Sequence, residues 1–166
     1  SFYRAHMLQA IILRTDLRGA DLSEANLHGV DMSGTNLAGA KLVGTSLTST
    51  ILVEADLSGA NMQAARLADA KLPGANLRGA DLRKADLPVT NLIGADLRGA
   101  NLDGANITSA NLTGANLTGA NLTDVSLDAA DLTDADLTNA ILVRTTMDKT
   151  KLCRTKLPTG VDSSGC

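Results

Sequence analysis

The sequence NLTGANLTGANLTD, residues 111–124, repeats the same five residues twice and begins them a third time. A leucine every five residues advances about 140° per repeat around an α-helix, so the leucines would leave no apolar stripe. In a straight strand, an odd spacing places successive leucines on opposite faces. The repeat therefore indicates short strands, with a corner in the backbone once every five residues.

The same frame runs along the chain from Phe2 to Leu157. With the leucine numbered third, third positions hold only Leu, Ile, Met or Phe, and first positions from Ala5 to Thr155 hold only Ala, Thr or Val. Second positions are mostly Asp, Asn or another polar residue. The pattern predicts that first and third side chains point inward and that the other three point outward.

Proline and glycine mark the predicted corners. In LPGA, residues 72–75, Pro73 and Gly74 occupy the two central positions of a turn, where proline presets φ and glycine supplies a positive φ. Glycine occupies the fifth position in 13 of its 15 occurrences, which places the corner at the same point of most repeats.

Charges in second positions indicate how many repeats complete one coil. Stacked strands place equivalent side chains about 4.8 Å apart, so like charges avoid that register. Among separations of one to five repeats, only four repeats, or 20 residues, brings no two like charges together. At that spacing Lys41 meets Asp21 and Arg66 meets Asp86. The charge spacing favours four repeats per coil.

Three segments resemble a known family: ADLSEANLHG at 20–29, ANLRGADLRKADL at 75–87 and ANLTGANLTGANL at 110–122. They resemble the A(D/N)Lxx motif of pentapeptide repeat proteins, which are abundant in cyanobacteria, and the resemblance covers almost the whole chain. It implies an all-β fold, a right-handed quadrilateral parallel β-helix (a solenoid) with four pentapeptides per coil. The frame holds about 32 repeats, so we expect about eight coils stacked at strand spacing.

The repeat frame ends at Leu157, because the next third position would be Asp162. We therefore expect a repeat helix over residues 1–157 and a capping tail over residues 158–166. The ending LCRTKLPTGVDSSGC resembles the tail that closes many cyanobacterial members of the family. Such a tail would cover strand edges that otherwise invite aggregation.

Two cysteines, Cys153 and Cys166, bracket this tail. They could form a disulfide that pins the tail to the last coil, and closing this loop would be worth about 3 kcal/mol. The alternative is two unpaired thiols in a reducing compartment. A disulfide would favour an oxidising space such as a thylakoid lumen or periplasm over the cytoplasm.

Catalytic and metal-binding patterns are missing from the sequence. His6 and His28 are the only histidines, and neither clusters with cysteine at ligand spacing. Carboxylates occur as repeat positions, without a nucleophile and base arrangement or a phosphate-binding loop. We expect no enzyme activity, no cofactor and no metal. No apolar run approaches the length of about 18 residues that crosses a bilayer.

Charge is unevenly distributed along the chain. The net charge of −3 gives no general attraction for nucleic acid, which we regard as an unlikely partner. Residues 101–140 carry no basic group and 6 acidic groups. The acidic block is Asp124, Asp128, Asp131 and Asp134, and the basic cluster, a candidate patch for a protein partner, is Arg78, Arg83, Lys84 and Arg98. For both sets, the alternative is a solvated surface that keeps the molecule soluble.

Three functions are compatible with such a solenoid. The first is a non-enzymatic scaffold or regulator that binds an unidentified protein through extended surfaces. The second is a DNA mimic that binds a topoisomerase. Resemblance to the quinolone-resistance branch implies repeats centred on Phe and a strongly negative face, whereas here Leu dominates and basic groups interrupt the acidic columns. The third is ice binding through fourth-position threonines, which are Thr108, Thr113, Thr118, Thr123, Thr133 and Thr138.

Overall fold

A computed structural model describes residues 2–5 and 11–166 of the chain. His6, considered above as a possible ligand, lies outside these residues. Within the described ranges the backbone forms turns, β-bridges and two short strands, and no helix is long and apolar enough to cross a membrane.

Parallel β-bridges join second-position residues that lie 20 residues apart, from Ile11 with Asp31 to Asp136 with Lys156. We call each 20-residue step a layer. Among the residues that the structure describes, the bridges form four ladders, whose first members are Ile11, Asp16, Asp21 and Asn26. The result is a β-helix type of fold, in which each layer pairs with the layers before and after it.

Backbone hydrogen bonds follow the same register from layer to layer. The third-position N–H of Leu97 donates to the carbonyl of Asn116 in the next layer, at 2.7 Å. The second-position N–H of Asp96 donates to the carbonyl of Ala75 in the preceding layer, at 2.9 Å. Each repeat is therefore tied to both neighbouring layers, which satisfies backbone groups that would otherwise be buried without partners.

The core consists of the first and third positions, as predicted. From Leu22 to Leu137, third-position side chains are at most 1% exposed. The small first-position residues between them are equally buried, and where threonine replaces alanine its hydroxyl is hydrogen-bonded. The Thr90 hydroxyl, for example, donates to the carbonyl of Leu67 at 2.9 Å. Outside this central part, the described third-position side chains are less buried. Phe2 is exposed, and the half-buried ones are Ile12, Leu17, Leu142, Met147, Leu152 and Leu157.

The corners have positive φ angles whether or not they contain glycine. Gly74 has φ of 65°, as its place after Pro73 predicted. However, 17 non-glycine residues among those that the structure describes also have positive φ. They include Val89 at 58°, although a β-branched residue rarely adopts this conformation. The stacking of the layers, and not glycine alone, therefore determines the corner.

The chain ends in a β-hairpin. Strand β1, Thr155–Leu157, pairs antiparallel with strand β2, Gly160–Asp162. The chain then folds back, and the N–H of Gly165 donates to the carbonyl of Leu152 at 3.1 Å. Cys153 and Cys166 form a disulfide, with their Cα atoms 4.7 Å apart. Of the two predicted alternatives, a disulfide or two unpaired thiols, the structure contains the disulfide.

Candidate interaction surfaces

Second-position side chains cap the corner that follows them. Asn111 Oδ1, for example, accepts the N–H of Thr113 at 3.0 Å, and the same bond recurs along the chain. Where the fourth residue is Pro88, which has no N–H, the preceding Asp86 accepts a hydrogen bond from Asn106 Nδ2 in the next layer, at 2.8 Å. Most of the regular polar columns are therefore occupied by hydrogen bonds that hold the fold.

The basic cluster is partly neutralised within its own repeats. Arg83 donates to both carboxylate oxygens of Asp81, at 2.9 and 2.7 Å, and Arg98 pairs with Asp96 in the same way. These side-chain hydrogen bonds hold the pKa of Asp81 and of Asp96 below the usual range of a carboxyl group. Two of the four predicted patch residues therefore carry their charge as part of an ion pair.

The other two members of the cluster, Arg78 and Lys84, form no ion pair within the residues that the structure describes. Arg78 and Gly79 form the corner that follows Asn76 of the Asp16 ladder, and Lys84 lies at the next corner, which follows Asp81 of the Asp21 ladder. The side chain of Lys84 lies over Gly104, where its Cγ is 3.6 Å from the position of an added Cβ. Both side chains are exposed, and the charge of Arg78 makes a minor contribution to lowering the pKa of Asp96 in the next layer.

A shallow surface depression of about 390 Å³ adjoins this cluster. Its lining residues are Val43, Gln63, Ala64, Arg83, Lys84 and Asp103. Gln63 Nε2 donates to Asp81 Oδ2 at 2.6 Å, which connects the depression to the Arg83 ion pair. The lining contains no histidine, cysteine or hydroxyl group, and its amide, carboxylate and basic side chains are suited to polar contacts.

The acidic block is paired with the layer that follows it. Every pair joins residues 20 positions apart: Asp124 with Arg144, Asp131 with Lys151, Asp134 with Arg154 and, beyond the block, Asp136 with Lys156. The remaining member, Asp128, accepts the backbone N–H of Asp148 at 2.8 Å. The 20-residue spacing of second positions in the sequence already pairs Asp131 with Lys151, which the structure confirms. The 20-residue spacing already predicted for second positions, applied to fifth positions, would have found the arginine pairs.

Hydrogen bonding lowers the pKa of several of these carboxyl groups. The guanidinium of Arg144 lowers the pKa of Asp124, and that of Arg154 lowers the pKa of Asp134. The pKa of Asp136 falls to about 2, mainly because Thr138 donates to it from its hydroxyl and its backbone, with a smaller contribution from Lys156. These groups stay ionised and paired at neutral pH.

The fourth-position threonines are also partly occupied. The hydroxyls of Thr108, Thr118 and Thr123 donate to the asparagine two residues earlier, at 2.6 to 2.7 Å. A hydroxyl that donates within its own repeat is less available to order water on an ice surface. This geometry gives no support to an ice-binding face.

Histidine and carboxylate groups do not come together as a metal site. No cluster of three or more His, Cys, Asp or Glu side chains able to hold a metal occurs in the described part of the chain. His28 lies in an exposed fourth position, where its backbone N–H donates to Asn26 Oδ1 at 3.1 Å.

Comparison with known proteins identifies the family. The model of pentapeptide repeats matches residues 1–39, 31–67, 60–88, 90–124 and 120–157. The chain belongs to the pentapeptide repeat family. No curated protein matches the sequence.

Solved pentapeptide repeat structures resemble the chain at modest scores. HetL, involved in heterocyst differentiation regulation in the cyanobacterium Nostoc, is 28% identical over 96% of this chain and 92% of its own, with a TM-score of 0.33. QnrB1, a plasmid-mediated fluoroquinolone resistance protein, is 18% identical over 97% and 92%, with a TM-score of 0.41. A pentapeptide repeat protein of the Arabidopsis thaliana thylakoid lumen is 32% identical over 68% of each chain, with a TM-score of 0.23.

Proposed function

We propose that this pentapeptide repeat protein is a non-enzymatic scaffold that binds a protein partner on its outer surface. The observation that carries the proposal is that the exposed cations of Arg78 and Lys84 lack an ion pair within the described residues and belong to one basic cluster, in which Arg83 and Arg98 are already paired. A solenoid presents extended surfaces, and binding to such surfaces needs no enclosed pocket.

For the fold that presents this surface, we propose a right-handed quadrilateral β-helix over residues 1–157, with four pentapeptides per coil and about eight coils. The 20-residue spacing of the bridges supports four repeats per coil. Residues 158–166 would form the closing tail, which the hairpin and the disulfide of Cys166 support.

The proposed contact surface is the basic cluster, with Arg78 and Lys84 as the residues that meet the partner and the paired Arg83 and Arg98 beside them. Its partner would present carboxylates, because an unpaired guanidinium and an unpaired ammonium recognise anionic groups most strongly. Since the side chains are exposed, the contribution of charge would be greatest at low salt.

Affinity capture from a lysate, with the folded chain as bait, tests this proposal. The variant combines Arg78→Glu with Lys84→Glu, and the control combines Arg14→Glu with Lys149→Glu, which change the net charge equally. The control residues also lack an ion pair in the described ranges. We expect a protein retained by the wild type and the control to be lost from the variant. Equal retention by all three would rule out this surface, and retention of no protein would count against the scaffold.

The alternative function, DNA mimicry against a topoisomerase, requires an unscreened row of carboxylates. Three members of the acidic block are ion-paired, so the structure gives this function less support. A gyrase supercoiling assay decides the matter, because inhibition at low micromolar protein would favour mimicry over the scaffold.

The disulfide also bears on location. Cytosolic thiols are usually kept reduced, so a bonded Cys153 and Cys166 favours an oxidising compartment such as a thylakoid lumen or periplasm.

A further inference from the structure

We propose that the disulfide between Cys153 and Cys166 is a redox-controlled latch on the C-terminal layer, opened by a dithiol that attacks Cys166 while Cys153 departs as a thiolate beside Arg154. This latch does not depend on the identity of a binding partner. Three observations carry it: the unequal exposure of the two cysteines, the position of Arg154 and the weak burial of the layer that the latch closes.

The two cysteine residues differ in exposure. Cys153 occupies a fourth position in the last layer and is 6% exposed, whereas Cys166 is the last residue and is exposed. Thiol–disulfide exchange requires direct approach of a thiolate to the sulfur that it attacks. Cys166 is therefore the sulfur under attack, and Cys153 is the leaving group.

Arg154 is held where it can stabilise that leaving group. Its Nη1 lies 3.5 Å from Cys153 Sγ, while its Nε and Nη2 each donate to a carboxylate oxygen of Asp134 at 2.6 Å. The ion pair with Asp134 fixes the guanidinium next to the sulfur. A neighbouring cation lowers the pKa of a thiol, and a thiol of lower pKa leaves faster in exchange.

The chemistry balances with a dithiol as the reductant. One thiolate of the dithiol forms a bond to Cys166 Sγ, the bond between the two cysteines breaks, and its electron pair goes to Cys153. The second thiolate then attacks the reductant sulfur in the mixed disulfide and releases Cys166 as a thiolate. The reductant loses two electrons and becomes a cyclic disulfide, the protein gains them, and each cysteine ends as a thiol after taking up a proton.

The layer under the latch is held less firmly than the layers before it. Leu142, Met147 and Leu152 are only half-buried. The segment after β2 contacts this layer through the hydrogen bond from Gly165 to Leu152, at such close range that a Cβ on Gly165 would lie 2.7 Å from the Leu152 nitrogen. Without the disulfide, this contact has no covalent support, and the terminal segment is free to separate from Leu152.

The first test measures how fast the disulfide is reduced. The protein is treated with dithiothreitol, quenched by alkylation at intervals and analysed by mass spectrometry. The variant is Arg154→Gln, and the control is Arg144→Gln, which removes an equivalent arginine and aspartate pair two ladders away from Cys153. We expect reduction to slow several-fold in Arg154→Gln alone, with partial recovery in Arg154→Lys. An unchanged rate in Arg154→Gln would overturn the role of Arg154.

The second test asks whether reduction opens the layer. Hydrogen exchange of the wild type is compared with and without dithiothreitol, which avoids any dependence on a variant that folds poorly. We expect faster exchange over residues 142–166 on reduction and no change over residues 60–100. The Cys166→Ser variant should exchange as fast as the reduced wild type, and dithiothreitol should not change its rate. Identical exchange in the oxidised and reduced wild type would overturn the latch.

Discussion

Leu102 and Leu142 are third-position residues that follow the same ladder, two layers apart. Leu102 is fully buried, whereas Leu142 is only half-buried. The difference arises because Leu102 has a layer on both sides, whereas Leu142 lies in the last full layer of the repeat. The last layer has other attachments in place of burial. These are the hydroxyls of Thr145, Thr150 and Thr155, the ion pairs of Arg144, Lys151, Arg154 and Lys156, and the disulfide.

These attachments are not equivalent in strength. Full burial of a leucine is worth about 1.5 to 3 kcal/mol, whereas an exposed ion pair is worth about 0 to 1 kcal/mol. The basic side chains that pair with the acidic block and with Asp136 are 52% to 66% exposed. The central layers are therefore stabilised by their interior, and the last layer depends more on its covalent tie.

The largest expected effect is the loss of unfolding free energy when a leucine is truncated, and it should differ between the central layers and the last layer. Leu102→Ala should lower the free energy of unfolding by about 2 to 5 kcal/mol, because it leaves a cavity in a closed core. Leu142→Ala should cost clearly less, because its side chain is already partly in water. Denaturant unfolding of both variants measures the difference. Equal losses would show that the last layer is packed as firmly as the centre.

A smaller effect tests whether the central layers carry strain at their corners. Val89→Gly should raise the free energy of unfolding by about 1 kcal/mol, because valine is held at a positive φ that glycine adopts without strain. The reciprocal control is Gly79→Ala, where an added Cβ meets no atom within 4 Å, so only the conformational cost, about 1 kcal/mol, should appear. A loss of stability in Val89→Gly would mean that the valine side chain contributes contacts that outweigh its strain.

The smallest expected effect is the loss of stability when acid protonates the carboxylates that pair with the last layer. Because the folded pKa of Asp136 is about 2, below its ordinary value of 3.8, this carboxylate stabilises the fold above the ordinary value. That contribution is lost as pH falls through the folded pKa, and Asp124 and Asp134 act in the same direction.

Thermal unfolding at pH 7, 4 and 2 should therefore show a decline concentrated between about pH 4 and 2. Asp136→Asn, which cannot titrate, should show a shallower decline. A wild type that becomes more stable on acidification would contradict this sign.

The sequence predicted those features that repeat, because periodic selection of side chains reflects a periodic interior. Leu at third positions and Ala at first positions indicated the core, and the two cysteines indicated where the tail could be tied. The positive φ of Val89 could not be predicted, because the propensity of valine opposes it and the stacking of layers overrides that propensity.

For the candidate site, the sequence located Arg78, Arg83, Lys84 and Arg98 but not the state of their charges. Aspartates two residues before Arg83 and Arg98 could cap the corner, pair with the arginine or do both, and only coordinates show that they do both. The contact of Arg154 with Cys153 could not be predicted from the sequence either, because it depends on the direction in which a long side chain points at a corner.

The disulfide also determines where a pulling force would act. Tension applied at Cys166 reaches the layers through its bond to Cys153, so the hairpin between them bears no load while the bond is intact. Unravelling would then begin at Leu152 and proceed one layer at a time, since each layer contacts only its neighbours. Each freed layer of 20 residues would lengthen the chain by at most about 70 Å. After reduction, the hairpin itself would bear the load, and it would unfold first as a short extension at low force.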